Sequence, residues 1–345
     1  MARTAPKGNV MNLQTQPLVS VVTPVYNGEK YLSECIKSVL AQTYDNWEYT
    51  IVNNCSTDQT LEIAQRYAQQ DERIRVHNNT QFLTAVQNFN HALHQISPES
   101  KYCKVVHADD WLFPDCTTQM LQVAQANPSV GVVSSYALEG VRVKHNGLPY
   151  PSTVVPGRAI CRQSLLHSTY VFGSPSSLLI RSDLIKDRKA FYDASFHQTV
   201  DQAACYDVLQ NTDFGFVHQV LTFSRVHDET LTSAAEGLNK LILEKLLLLK
   251  KYGPVYLSRQ EYEQRLTQKM ESYYVFLARC VIRRRGRKFW DYHRAGLETL
   301  GLPLSRVKLT KASIRELYMM FMGGVMHPRD TLQLMIHRVK DRKNA

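Results

Sequence analysis

From Leu18 onward, short runs of β-branched and aromatic residues alternate with segments whose apolar positions recur every three or four residues. That alternation predicts an α/β domain with a mainly parallel, Rossmann-like mixed sheet flanked by helices. "LVSVVTP" reads as the first strand, and "EKYLSECIKSVLAQ" as a helix with Tyr31, Leu32, Cys35, Ile36, Val39 and Leu40 on one face. "WEYTIVN" is the second strand and "TLEIAQRYAQQ" the second helix, with Ser56 and Thr57 as its expected N-caps. "RIRVHNN" and "YCKVVHA" are further strands, separated by the helix "AVQNFNHALHQI", which is expected to bury Val86, Phe89, Leu93 and Ile96.

Beyond residue 130 the pattern loosens. "VGVVSSYAL" reads as a strand, "KHNGLP" as a turn on Asn146 and Gly147, "GSPSSLLIRSDLI" as loop, strand and helix start, "TVDQAACYDVLQNT" as a helix, and "FGFVHQVLTFSRVH" as paired strands. After Glu236 long helical patterns take over: "LNKLILEKLLLLKKYG", one continuous helix through "QEYEQRLTQKMESYYVFLARCVIRRRGRK", and a weaker one near "SIRELYMMFM". The division expected is a flexible tail (residues 1–16), an α/β domain (17–235) and a basic helical C-terminal module (236–345).

Charge sharpens that division. Of the net +10, residues 1–235 hold 18 Lys and Arg against 21 Asp and Glu, whereas residues 236–345 hold 23 against 10. The basic character belongs to the C-terminal third, which fits either an anionic partner or a solvated helical face. With 44% hydrophobic residues the chain has ample core, and its seven cysteines show none of the paired spacing of zinc or redox sites, as expected of free thiols in a reducing compartment. The N-terminal stretch has no apolar run of the kind a secretory signal carries, and no segment approaches the length of a membrane span.

Four polar segments, "TPVYNGE", "NNCSTDQ", "HNNTQF" and "HADDW", fall at the carboxyl ends of the predicted strands, where open α/β sheets bind ligands. The last of them puts Asp109 and Asp110 side by side behind a buried strand, a costly placement unless a cation or solvent meets them.

The segment from Val19 through "TPVYNGEKYLSECIKSVLAQTYDNWEYTIVNNCSTDQT", followed by "HADDWLFPD", resembles the family 2 nucleotide-sugar glycosyltransferases, which have the A-type glycosyltransferase fold. The resemblance spans residues 18 to about 230. It implies a Mn²⁺ or Mg²⁺ cofactor that bridges the diphosphate of a sugar donor. It also implies Asp109 as a metal ligand, with His107 standing where the family motif has its first aspartate, and Asp110 as a donor-sugar contact. Pro24 and Tyr26 would line the base and ribose pocket. Asn54 stands where a family aspartate accepts the uracil N–H; Asn53 and Cys55 are further departures from that motif. Asn88 matches a family asparagine, although Gln87 replaces a frequent arginine.

On the acceptor side the resemblance assigns Asp201 as general base, with Asp193 and Asp207 as weaker candidates, and Arg225 and His227 of "FSRVH" as a diphosphate contact and a further metal ligand. "FGSPSS" would line the acceptor pocket. The implied function is metal-dependent, inverting sugar transfer from a UDP donor, or from GDP or dTDP, to a glycan or lipid-linked acceptor in polysaccharide or cell-envelope synthesis. The implied location is cytoplasmic and peripheral to the membrane. A catalytically silent binding protein and a nucleotidyltransferase are the rival readings. The sequence has no glycine-rich phosphate loop after the first strand, which argues against the second rival. In the C-terminal module "RRRGRK" beside Phe289 and Trp290 suits anionic lipid headgroups. No nucleic-acid partner is expected, and packing against a second subunit stays open.

Overall fold

The computed structural model describes residues 16–226 and 238–326. The chain divides into two compact units, residues 1–233 and 234–345.

The first unit is built on a ten-stranded mixed sheet in the order β3-β2-β1-β4-β9-β6-β10-β5, with β7 and β8 pairing at the side of β6 and β10. Strands β1 (Val19–Val25), β2 (Trp47–Asn53), β3 (Ile74–Asn78) and β4 (Tyr102–Val105) are mutually parallel. Every residue of β1 is buried, as a central strand covered on both faces requires. Helices α1 (Leu32–Leu40), α2 (Thr60–Gln70) and α3 (Ala85–Leu93) connect these strands. Strands β5 (Trp111–Leu112), β6 (Val130–Glu139), β7 (Arg142–Lys144), β8 (Val154–Val155), β9 (Leu179–Arg181) and β10 (Asp213–Ser224) complete the sheet. β9 runs antiparallel between β4 and β6. Helices α4 (Cys116–Ala126), α5 (Gly157–His167), α6 (Asp183–Lys186) and α7 (Val200–Val208) account for the rest.

Several expectations need correction. The segment read as paired strands is the single strand β10, which runs parallel to β6. Its polar His218 and Gln219 fall in a bulge, between Val217 opposite Ser135 and Val220 opposite Tyr136, instead of at a turn. Ser56 and Thr57 do not cap α2, which begins at Thr60. Asp58 serves that end instead, accepting from the Thr60 N–H at 3.0 Å and from the Glu29 N–H at 3.0 Å, while Ser56 Oγ accepts from the Asn27 N–H at 2.9 Å. Val86 and Phe89 are only half-buried, and Asn88 occupies the buried position between them. The hairpin after β6 turns at Gly140 and Val141, ahead of Asn146 and Gly147.

Among the described residues the second unit contains helices α8 (Lys240–Tyr256), α9 (Arg259–Ile282), α10 (Arg287–Thr299) and α11 (Arg306–Met326). Leu243, Leu246, Tyr273, Leu277, Cys280, Phe289 and Leu297 form its core. His293 is fully buried there, with Nδ1 facing Tyr273 OH at 2.5 Å and Nε2 facing Leu238 O at 2.9 Å. The helix expected to run unbroken through "RRRGRK" stops at Ile282. Arg284 takes a left-handed φ of 53°, the Arg285 N–H returns to Cys280 O at 3.1 Å and the Arg284 N–H to Val281 O at 2.9 Å. This is the pair of bonds that closes a helix C-terminus, and Gly286 then starts α10. The proposed aromatic membrane anchors also sit elsewhere: Phe289 is 3% exposed in the helical core, and Trp290 donates its indole N–H to Arg285 O. Among the described residues no helix is long and apolar enough to cross a membrane.

Candidate functional site

The carboxyl ends of β1 and β4 meet closely. Asn27 takes a left-handed φ of 50°, and a Cβ on the following Gly28 would lie 2.6 Å from Val25 Cγ2 and 3.5 Å from Ala108 Cβ. The clash would be with the end of β1 itself, whereas the approach to Ala108 of the β4 loop is at ordinary contact distance. The loop after β4 is held from three sides. Cys35 Sγ of α1 contacts His107 O at 3.4 Å, the His107 N–H donates to Ser176 Oγ at 3.0 Å, and the Leu112 N–H donates to Ser38 Oγ at 3.1 Å.

This loop gathers His107, Asp109 and Asp110 so that one potential ligand atom from each lies within 4.8 Å of the others. Among the described residues no other group of three or more such side chains meets that condition. The two carboxylates have different surroundings. Asp110 is 4% exposed; its Oδ2 accepts from Ser176 Oγ at 2.6 Å and its Oδ1 from the Arg225 N–H at 3.2 Å, with His107 Nδ1 3.7 Å away. Burial nonetheless pushes its carboxyl above the usual range, with the charge of Asp109 adding to the rise and His107 opposing it. Asp109 is half-buried, and its backbone carbonyl accepts from Arg225 Nε at 3.3 Å. His107 Nε2 is buried with no hydrogen-bond partner among the described residues. Two carboxylates and an imidazole with a buried, unpartnered nitrogen form a donor set that fits a divalent cation.

Beneath the loop, the fully buried Lys104 donates its Nζ to Ser176 O at 2.7 Å, and desolvation pulls its pKa down. Ser176 therefore ties a buried cation, the His107 backbone and the Asp110 carboxylate together. Nothing in the sequence marks it, because it lies 66 residues from Asp110. "FGSPSS" is correspondingly an interior segment: Phe172, Ser176 and Ser177 are fully buried and do not form a pocket wall.

Arg225 reaches this cluster as well. Besides its contacts to Asp109 and Asp110, its Nη2 pairs with Glu34 Oε2 at 2.5 Å, and its guanidinium lies 4.2 Å from the Tyr31 ring centroid. His227 lies outside the described residues.

Asp201 is in the first turn of α7 and half-buried. Tyr170 OH donates to its Oδ2, and the Gln202 N–H donates to Oδ1 at 2.9 Å. Burial raises its pKa, with the Tyr170 bond, the backbone bonds and the charge of His107 all opposing the rise. Asp193, by contrast, closes a local turn by accepting from the Ser195 N–H at 2.9 Å and from Ser195 Oγ at 2.8 Å.

The remaining expected residues group at the ends of β1 to β3. Tyr26 is 49% exposed and meets Phe82 edge to face, with ring centroids 5.0 Å apart. Pro24 is buried within β1, opposite Val52, and does not line the surface of a pocket. Asn54 and Asn88 are joined through Asn79, whose Nδ2 donates to both side-chain oxygens at 3.0 Å. Gln87 caps α3 by accepting from the Thr84 N–H at 3.0 Å.

The family model for glycosyl transferase family 2 matches residues 20–188. EpsH of Bacillus subtilis, provisionally named a glycosyltransferase, is 37% identical over 124 residues, 36% of this chain and 35% of that protein. An uncharacterized glycosyltransferase of Rickettsia typhi is 30% identical over 232 residues, 65% of this chain and 68% of its own length. These two matches thus cover about a third and about two thirds of those proteins' lengths. Among solved structures, Staphylococcus aureus TarS 1-349 in complex with UDP-GlcNAc superposes with a TM-score of 0.62 at 16% identity, over 91% of this chain and 92% of that one. The mannosyltransferase PcManGT of Pyrobaculum calidifontis, in complex with GDP-Man and Mn²⁺, gives a TM-score of 0.51 at 12% identity, over 88% of each chain. The structural likenesses establish the shared mixed α/β fold. With the sequence matches and the strand-end cluster, they place the chain in glycosyl transferase family 2.

Proposed function

We propose that the protein is a metal-dependent, inverting glycosyltransferase that moves a sugar from a nucleoside diphosphate donor to a hydroxyl of a glycan or lipid-linked acceptor. The observation that carries this reading is the joint placement of His107, Asp109 and Asp110 on the loop at the carboxyl end of β4, where one potential ligand atom from each lies within 4.8 Å of the others. Asp109 and His107 would hold Mn²⁺ or Mg²⁺, which would neutralise negative charge on the departing diphosphate. Asp110, Arg225 and Tyr26 would contact the donor. Asn54 and Asn88 act one step back, by holding the loop that carries Phe82.

Asp201 takes the proton of the acceptor hydroxyl. The hydroxyl oxygen forms the new bond to the anomeric carbon from the face opposite the phosphate, and the old C–O bond breaks with its electron pair passing to the nucleoside diphosphate. Two features suit Asp201 to this role. Its raised pKa makes it a stronger base, and its place in the first turn of α7 with Tyr170 and the Gln202 N–H bonded to it fixes the orientation of the carboxylate. The family's presence among proteins named for teichuronic acid synthesis, such as TuaG of B. subtilis, supports a cell-envelope polysaccharide as product. Seven free cysteines support a reducing, cytoplasmic site of action.

We further propose that α11 rests on an anionic membrane surface. Val307, Ile314, Leu317 and Phe321 form an apolar stripe at helical spacing, each more than half exposed, on a module carrying 23 basic against 10 acidic residues. The test of the enzymatic reading is nucleoside diphosphate release from UDP-, GDP- and dTDP-sugars with Mn²⁺, Mg²⁺ or EDTA. Metal-dependent release that Asp109→Ala abolishes is the expected outcome. Metal-dependent binding with no release from any donor and acceptor pair would favour a silent family member.

A further inference from the structure

We propose that His77 and His91 form a second metal site, which takes a divalent transition metal of the nickel or copper kind through the Nε2 atoms of both imidazoles. The site is built from other residues than the cluster at Asp109, and it does not depend on the glycosyltransferase reading.

His77 is the next-to-last residue of β3, and His91 lies near the end of α3, the helix that follows. Both rings are half-buried and face each other with centroids 4.8 Å apart, and their Nε2 atoms approach to 2.9 Å. Only one of the two nitrogens can carry a proton on the line between them, so the other presents a bare lone pair. When each ring keeps its proton on Nδ1, both Nε2 lone pairs are free, and neutral imidazole is the form that binds metals. Burial, together with the nearby His77 and His94, pulls the His91 pKa down and favours that neutral form.

The spacing selects the metal. With histidine–metal bonds of about 2.0–2.1 Å, two nitrogens 2.9 Å apart subtend about 90° at the ion. That is the angle between neighbouring ligands in the square-planar or tetragonal geometry of Cu²⁺ and Ni²⁺, whereas tetrahedral Zn²⁺ would need the nitrogens about 0.4–0.5 Å further apart. Imidazole also favours these ions over Mn²⁺ and Mg²⁺, the harder cations that suit the carboxylates at Asp109. Beside His77 opens a cavity of about 300 Å³, lined also by Thr50, Arg75, Val76 and Gln95, which leaves room for water at the remaining coordination positions. The charge of Arg75 on that wall is met by Glu48, with Nη2 and Oε2 2.7 Å apart. With half the ligand set of a structural zinc site, a Kd on the order of 1–100 μM is expected. A metal held here ties β3 to α3 and closes the intervening segment, which carries Asn79 and Phe82.

The test is calorimetric titration of Ni²⁺ into the whole untagged chain carrying Asp109→Ala, which removes a ligand of the other metal cluster, and into the same chain with His77→Ala, His91→Ala or His94→Ala added. His94 is the control, being exposed with its Nε2 facing Lys189 O at 3.2 Å. Thermal melting without metal checks folding, and His77→Gln or His91→Gln replaces an alanine variant that melts early. Ni²⁺ should bind with the Kd given above and raise Tm by about 5–11 °C at about 100 times that concentration. Affinity should fall more than about tenfold when either His77 or His91 is replaced, and stay unchanged when His94 is. Failure of the Asp109→Ala chain to bind Ni²⁺ would overturn the proposal and leave a plain hydrogen-bonded pair. Binding that survives the loss of either His77 or His91, or that falls equally with His94→Ala, would overturn it too.

Discussion

Removing the Ser176 hydroxyl is the most informative single perturbation of the site. Its Oγ donates to Asp110 Oδ2 at 2.6 Å and accepts from the His107 N–H at 3.0 Å, in a fully buried position. Ser176→Ala leaves Lys104 bonded to the residue 176 carbonyl and opens little volume, so its effect is electrostatic. A buried N–H without a partner costs about 1–3 kcal/mol, and a hydrogen bond to a charged group contributes about 1.5–3 kcal/mol. These effects overlap at one atom, and we expect a combined loss of about 2–4 kcal/mol. In a unit of this size each kcal/mol moves Tm by about 2–4 °C, giving a fall of about 4–16 °C. The substitution also frees the His107 N–H, and with it the segment that carries the proposed metal ligands His107 and Asp109, so affinity for Mn²⁺ should drop about 10- to 100-fold. Differential scanning calorimetry and Mn²⁺ titration read the two effects. Ser177→Ala is the control: its Oγ makes only a 3.2 Å contact to Thr222 Oγ1, and its loss should cost under about 1 kcal/mol. If Ser176→Ala melted with the wild type and bound Mn²⁺ equally well, the proposed coupling of the interior to the Asp110 carboxylate would be wrong.

Further outcomes are expected. Tyr170→Phe removes a bond that lowers the Asp201 pKa, so that pKa rises further. Because the base works deprotonated, the acid limb of the kcat/KM profile should move to higher pH; an unmoved limb would exclude Asp201 as the group it reports. Mn²⁺ at about 100 times its Kd should stabilise the wild type by about 2.7 kcal/mol, read as a rise in Tm that Asp109→Ala abolishes. On α11, Ile314→Ser with Phe321→Ser removes two side chains that are 63% and 69% exposed, each able to contribute about 1.5–3 kcal/mol on burial in lipid. Cosedimentation with anionic vesicles should fall more than about tenfold while Tm stays unchanged; equal cosedimentation would rule out this surface.

The sequence made local periodicity visible and hid what depends on distant partners. β1 and β2 are legible because they are rich in β-branched and aromatic residues, and α1 because its buried Leu32, Cys35, Ile36 and Val39 follow helical spacing. β10 was misread because a polar pair in a bulge looks the same as a turn until β6 lies beside it. The break between α9 and α10 rests on a left-handed arginine, which composition does not announce. Adjacent aspartates at a strand end are conspicuous, and so is Asp201 at a helix start. Ser176 and Tyr170 are not, because each acts on a carboxylate 66 or 31 residues away. Asn54 matches a base-contacting position of the family by its place in the motif, yet its side chain is consumed by the Leu83 backbone, a bond no motif reveals.

The central claim is that Asp201 carries the chemistry at a donor site built around Asp109. Its most direct test is Asp201→Asn, measured both for Mn²⁺-dependent nucleotide binding and for nucleoside diphosphate release in the presence of acceptor. The account predicts binding within about threefold of the wild type, and turnover reduced by about 10²- to 10⁴-fold, the usual contribution of a positioned general base. Turnover that survives the substitution at the wild-type rate would contradict it.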